Sequence, residues 1–379
     1  MVTLEISKLE PGMIVAEPII TKRGQTISGP GTVLNSQLLA KLSFYKIESV
    51  TVEDPVVEDE PEPEPEPEPV VEEAPKAPTK AFVSTQITYT QRLKASPKFQ
   101  QFQSNYALNC GYLNENFDAI IAGGGSECQD MLLDNFQTLS RSNASLELFD
   151  MLHLMRTVND SVYAHSINVA LIARCIGKWL RFSREDLDVL TLAGLLHDIG
   201  KTQIPDEVLN KPGRYTDEER ALVQSHPLLG NKLLRNKGFD PRILKATLQH
   251  HERNDGSGYP RGLLDEEIDE FASIIAISDV YDAMTSARSY RDPLCSFQVI
   301  AEFEKEGLQK YNTKILLTFL EHIADTYNNS RVILNNARTG HVVYINRSNL
   351  SRPVIGMDDG TIVDLSAPEN KELFIRTIL

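Results

Sequence analysis

The chain has 379 residues, long enough for two or three domains, and its 41% hydrophobic and 24% charged residues are those of a soluble globular protein. With 38 Lys+Arg against 53 Asp+Glu the net charge is −15, which excludes a protein that grips duplex nucleic acid over its whole surface. No apolar run reaches the roughly 18 residues that a membrane-spanning helix needs.

The start, Met1-Val2-Thr3-Leu4-Glu5, lacks the basic and apolar stretches of a signal peptide. Four sparse cysteines, Cys110, Cys128, Cys175 and Cys295, form no C-x-x-C pair and fit reduced thiols in a cytoplasmic protein.

Residues 1–52 read as a small β-rich module. Ile14-Val15, Ile19-Ile20 and Val50-Thr51-Val52 are β-prone pieces, separated by turn signals at Pro11-Gly12, Arg23-Gly24 and Gly29-Pro30-Gly31. Ser36 to Leu42 reads as one short helix. Residues 53–80 follow as an acidic Pro/Glu linker. The stretch 53–73 holds eleven acids and no base, and removing them takes the net charge from −15 to −4. Proline at alternate positions from Pro61 to Pro69 fixes φ and removes backbone donors, so an extended, semi-rigid spacer is expected.

From 81 to 150 the pattern is helical, with Gly123-Gly124-Gly125 as a helix–helix joint; these helices can pair two chains into a homodimer. Residues 151–330 are densely helical. Ile167, Val169, Ala170, Ile172, Ala173 and Ile176 form an apolar face at helical spacing. Ser183-Arg184-Glu185-Asp186 and Thr216-Asp217-Glu218-Glu219 resemble capping boxes. Helices are expected at 187–198, 217–228, 242–252, 270–286 and 314–327. From 331 to 379 short β-prone runs return, with Asp359-Gly360 as a hairpin turn, giving a small β appendage.

Five of the eight histidines lie between positions 165 and 251: His165, His197, His226, His250 and His251. Asp198 follows His197 directly, and Asp279 lies further on. Neutral imidazoles and carboxylates are the usual ligands of catalytic transition metals. Adjacent helical residues point about 100° apart, so His250 and His251 can face two different ions. The set is too large for one catalytic ion and suits two at about 3.5–4 Å, the arrangement used to hydrolyse phosphate esters. A lone buried histidine is more often a hydrogen-bonded core residue, and His153, His322 and His341 are read that way. The larger set is not, because so many polar groups among apolar helices are costly unless satisfied together. The loop Asp255-Gly256-Ser257-Gly258-Tyr259-Pro260 lets backbone approach a ligand at Gly258, and Tyr259 offers an aromatic face to a base.

These residues resemble a known family. Leu196-His197-Asp198-Ile199-Gly200-Lys201 resembles the His-Asp signature of the HD phosphohydrolases. His250-His251-Glu252-Arg253-Asn254-Asp255-Gly256-Ser257-Gly258-Tyr259-Pro260 resembles the second signature of their HD-GYP subfamily. His165-Ser166, Ser225-His226-Pro227 and Ser278-Asp279-Val280-Tyr281-Asp282 agree in order and spacing. The resemblance spans residues 151–330, and residues 4–52 resemble the small domain often found before HD-GYP domains.

The resemblance implies a mainly α protein, an all-helical HD-domain bundle at 151–330 with small β-rich N-terminal and C-terminal appendages. It implies a phosphodiesterase that opens cyclic di-GMP to pGpG or GMP with two divalent metal ions, iron or manganese. The ligands it implies are His165, His197, Asp198, His226, His250, His251 and Asp279, with Asp198 bridging. Asp198 and Lys201 would be catalytic, Lys201 holding the scissile phosphate. Tyr259 and Gly258 would line the substrate pocket. Arg288 and Arg291 would contact phosphate or guanine, and Asp282 would support the Lys201 or ligand network. Some members carry a glutamate one turn before the first histidine and bind three metals; Ser161 stands here, so two are expected. The alternatives are a binding-only cyclic di-GMP receptor, and a hydrolase of another cyclic dinucleotide such as cyclic GMP-AMP. The 1–52 module offers a surface for a regulatory protein partner.

Overall fold

The computed structural model describes residues 1–5, 9, 12–20, 26–34, 38, 42, 47, 49–53, 93–140, 145–155, 161–211, 213–286 and 293–379. The Pro/Glu run, most of the helix expected at 36–42, and both Arg288 and Arg291 lie outside the described residues. The chain divides into two compact units, Met1–Ile87 and Thr88–Leu379. Among the described residues no helix is long and apolar enough to cross a membrane.

In the first unit β1 (Val2–Glu5) pairs antiparallel with β4 (Ser49–Val52), and β2 (Ile19–Ile20) pairs antiparallel with β3 (Thr26–Ser28). Ile14 and Val15 form isolated bridges to Val33 and Val52. Leu9, Val15, Ile19, Leu34, Leu42, Val50 and Val52 make its small core.

The second unit is a helical bundle followed by a sheet. Helix α1 (Pro97–Ile121) starts as its sequence dictates: the Ser96 hydroxyl accepts the Phe99 N–H, and proline fills the first turn, where no N–H is needed. It ends before Gly123, which takes the left-handed conformation at φ +117°. Then come α2 (Cys128–Ser140), α3 (Ser145–Met155), α4 (Val162–Trp179) and α5 (Arg184–Leu196). Ala170 of α4 sits so close to Gly194 of α5 that a Cβ at Gly194 would run into its backbone. This close crossing brings the start of α4 beside the end of α5.

The helix expected over 217–228 is two helices, α6 (Asp217–Val223) and α7 (His226–Leu234). Pro227 has no N–H to give the Val223 carbonyl, so the helix stops and restarts. Helices α8 (Pro241–Gln249) and α9 (Glu270–Thr285) follow; α9 is buried on almost every side and packs on α4 and α8. Next are α10 (Ser296–Glu302), a π-helical turn (Phe303–Gly307) and α11 (Thr313–Thr326). The chain ends in a five-stranded antiparallel sheet of β5 (Arg331–Leu334), β6 (Thr339–Tyr344), β7 (Val354–Met357), β8 (Ile362–Asp364) and β9 (Ile375–Ile378), in the order β8-β7-β6-β5-β9. The Glu304 carboxylate accepts the Leu350 N–H at 2.6 Å, tying this sheet region to the helices.

Candidate metal centre

Five helices deliver the histidine and aspartate side chains to one place, and helix ends do most of the aiming. The last carbonyls of a helix lack intrahelical donors. His197, just after α5, turns its Nδ1 to the Gly194 carbonyl at 2.8 Å. His250, just after α8, turns its Nδ1 to the Thr247 carbonyl at 3.0 Å. His226 directs Nδ1 to the Val223 carbonyl at 2.7 Å, the same carbonyl that Pro227 leaves without a donor. A carbonyl only accepts, so each Nδ1 donates its proton to it and each Nε2 is turned inward. His165, in the first turn of α4, is aimed differently: its Nδ1 donates to Asp282 Oδ2 at 2.8 Å.

All seven residues expected as ligands come together, in two groups. One is Asp198, His226, His250 and His251; the other is His165, His197 and Asp279. Within each group the candidate ligand atoms lie within 4.8 Å of one another. Asp198 faces both. Its Oδ1 lies 3.2 Å from His226 Nε2 and 3.8 Å from His250 Nε2. Its Oδ2 lies 3.3 Å from His197 Nε2, 3.6 Å from His165 Nε2 and 2.6 Å from Lys201 Nζ. Asp279 completes the second group, with Oδ1 3.1 Å from His165 Nε2, and its Oδ2 reaches toward the first, 3.8 Å from His251 Nδ1.

The electrostatics follow from burial and these contacts. Burial alone would push the Asp198 carboxyl up, but the Lys201 ammonium and His197 prevail and hold it well below the usual carboxylate range. Asp279 is likewise held well below that range against burial, chiefly by His165. Burial pushes His250 well below the ordinary histidine value and His251 down to about 3, so both are neutral at pH 7. His165 is the opposite case: burial would lower it, but hydrogen bonds to Asp279 and Asp282 push it up to about 10.

The donor set fits divalent cations. His197 Nε2 and Asp198 Oδ1 are buried without a hydrogen-bond partner. His226 Nε2 and His250 Nε2 face each other at 3.2 Å, although both rings already spend Nδ1 on carbonyls. Each unsatisfied buried polar atom costs about 1–3 kcal/mol. Inward lone pairs and a buried carboxylate between them are satisfied together by bound cations.

The remaining expected residues fall into distinct places. Lys201 sits on the 3₁₀ turn Ile199–Gln203, partly exposed beside Asp198. Tyr259 stacks on the His251 ring, centroids 4.6 Å apart at 26°. Gly258 packs on the backbone of His251–Arg253, where a Cβ has no room, so its glycine sets the loop's path. Asp282, expected to support the Lys201 or ligand network, is 2% exposed and accepts the His165 Nδ1 proton, holding that ring in place. Ser161 caps α4 by accepting the Ala164 N–H at 3.1 Å. His153, His322 and His341 lie outside the cluster and, contrary to the expectation of buried core histidines, are exposed; the His322 ring stacks on Trp179 at 4.6 Å.

Several supporting residues were not read from the sequence. Glu252 is 2% exposed and accepts the backbone N–H groups of Arg261 at 2.7 Å and Leu263 at 2.9 Å, stapling the glycine-rich loop. Its position inside the second motif was the available signal. Gly200 and Gly230 let the 3₁₀ turn and α7 meet backbone to backbone, since a Cβ at Gly200 would overlap the His226 carbonyl. Asn168 donates to Asp282 Oδ1 at 3.0 Å.

Against known proteins, residues 128–315 match the family model described as the HD domain. The chain is 40% identical over 154 residues to "Cyclic di-GMP phosphodiesterase PA4108" of Pseudomonas aeruginosa, covering 40% of this chain and 36% of that protein. It is 37% identical over 158 residues to "3'3'-cGAMP-specific phosphodiesterase 1" of Vibrio cholerae, covering 41% of this chain and 37% of that one. The chain thus spans little more than a third of either relative's length. Among solved structures, the fold is similar to Bd1817, a HDG"Y"P protein from Bdellovibrio bacteriovorus, with a TM-score of 0.52 at 15% identity, covering 85% of this chain and 99% of that one. Residues 128–315 thus match the HD domain, and both signature motifs lie within that stretch.

Proposed function

We propose that the chain is a metal-dependent phosphodiesterase that opens cyclic di-GMP to pGpG or GMP, at a centre of two divalent ions. The observation that carries this reading is Asp198, a buried carboxylate with one oxygen toward His226 and His250 and the other toward His165 and His197. His226, His250, His251 and Asp198 would hold one ion; His165, His197, Asp279 and Asp198 would hold the other. Bound there, iron or manganese would supply Lewis acidity and bring the pKa of water toward neutrality. Ser161 supports two ions rather than three, since it offers a hydroxyl already used as a cap where a carboxylate would be needed.

The chain's own residues would divide the remaining work. Lys201 would exchange part of its contact with Asp198 for the scissile phosphate and stabilise the charge that grows there in the transition state. Tyr259 would stack its free face on guanine and hold the ring of the dinucleotide over the centre. Gly258 and Glu252 would keep the loop on that path, and Asp282 would keep the His165 ring aimed. Arg288 and Arg291 would contact phosphate or guanine. The reaction would take place in the cytoplasm. The division of the chain at 1–52, 53–80, 81–150, 151–330 and 331–379 would make 53–80 a spacer and 1–52 the docking point for a regulatory partner, with homodimers formed through 81–150.

A second reading has an observation of its own: a relative named as specific for 3'3'-cGAMP matches this chain nearly as well. Steady-state rates on cyclic di-GMP and 3'3'-cGAMP, with products resolved by chromatography, test both. Faster cleavage of cyclic di-GMP supports the main reading. A tenfold preference for the mixed ring would replace it with the second.

A further inference from the structure

A buried hydrogen-bond chain runs from α1, which carries none of the clustered histidines or aspartates, to His165. Tyr106 lies in the middle of α1 and is 2% exposed. Its hydroxyl lies 2.6 Å from Asn168 Oδ1 and 2.9 Å from the Ala164 carbonyl. Asn168 Nδ2 donates to Asp282 Oδ1 at 3.0 Å, and Asp282 Oδ2 accepts from His165 Nδ1 at 2.8 Å. Asn168 is 5% exposed and Asp282 2%. The amide has one workable orientation. A carboxylate oxygen accepts, so Nδ2 must face Asp282, and Oδ1 is left to receive the phenol proton.

A buried phenol needs a partner, and the Ala164 carbonyl alone would satisfy it. The shorter contact goes instead to the amide that holds Asp282. Both contacts flank His165, one to the residue before it and one to the side chain a turn after it. The chain therefore fixes two things that decide how a histidine binds a cation: the rotation of its ring and the negative charge behind its Nδ1.

We propose that Tyr106 is a positioning residue of the metal centre. Through Asn168 and Asp282 it sets how tightly the donors His165, His197 and Asp279 hold their ion. This rests on the reading of His165 as a ligand. It gives α1 a hydrogen-bonded hold on the His165 half of the centre.

The test uses the full chain and Mn²⁺ alone, titrated against a competing chelator so that each ion's dissociation constant is read without turnover. Tyr106→Phe keeps two ions per chain but binds one of them about 10- to 100-fold more weakly, with the other unchanged. Asn168→Ala gives the same selective loss, and the double variant loses no more than either alone, because both cut one chain. Leu113→Ala, buried two turns further along α1, loosens the same helix and leaves both constants unchanged. His165→Ala loses one ion. If Tyr106→Phe does not fold, Asn168→Ala carries the test.

Wild-type binding by both Tyr106→Phe and Asn168→Ala, with an ion lost in His165→Ala, overturns the proposal and leaves the ligand reading standing. Equal weakening by Leu113→Ala overturns it in favour of helix packing. Two ions bound normally by His165→Ala overturns the ligand reading and the proposal with it.

Discussion

The two halves of the centre are built from similar side chains by different means. Around His226 and His250 the rings are aimed by backbone: each gives its Nδ1 proton to a carbonyl at the end of a helix. Around His165 the aiming is done by side chains, through Asp282 and Asn168. The consequence shows in their charge. Burial leaves His250 and His251 neutral, whereas two carboxylates push His165 up to about 10. The His226 and His250 half is backbone-aimed and depends on where helices stop; the other half is mixed, since the Gly194 carbonyl aims His197 while His165 depends on a chain of buried partners that substitution can cut link by link. Asp198 lies between the two, with an oxygen toward each.

The largest effect is expected where the halves join. Asp198→Ala removes the shared carboxylate, so bound metal falls below one ion per chain and turnover of cyclic di-GMP drops by about 10³-fold or more. Elemental analysis and product assay on one sample check this. Lys201→Ala lies outside both donor sets: it leaves two ions bound and lowers kcat by about 10²–10³-fold, as loss of one transition-state charge donor does.

Gly200→Ala acts on the backbone-aimed half. The added Cβ meets the His226 carbonyl, and overpacking of this kind costs about 1–3 kcal/mol. Denaturant unfolding should show that loss, with weaker binding of the ion held by His226 and little change at the other. Glu252→Ala frees the glycine-rich loop and leaves the N–H groups of Arg261 and Leu263 unpaired. It raises KM about tenfold with a smaller change in kcat, because the loop would hold substrate rather than metal; a kcat/KM analysis separates the two.

How much of this was legible in the sequence differs between the halves in the same way. The seven clustered residues stand in motifs whose order is visible, and the helices bearing them follow from apolar spacing and caps such as Ser183 before α5. The stop at Pro227 was visible too, yet the apolar pattern on either side suggested one helix, and only the fold shows that the freed Val223 carbonyl aims His226. Tyr106 had no signal at all. It meets Ala164 from 58 positions away, and a tyrosine on an apolar helix face reads as core. Asp282 shared a motif with Asp279 and was expected to support the Lys201 or ligand network; one turn of α9 puts it behind His165, whose Nδ1 proton it accepts. Local pattern reports which residues carry chemistry; which residues hold them depends on contacts between distant segments.

The most direct test of the central claim is turnover of cyclic di-GMP by anaerobically purified protein, with metal content measured on the same sample. Two ions per chain and appearance of pGpG or GMP is the predicted result. Tight binding of the nucleotide with no product, in a sample that holds both ions, would contradict it and leave a receptor built on a hydrolase centre.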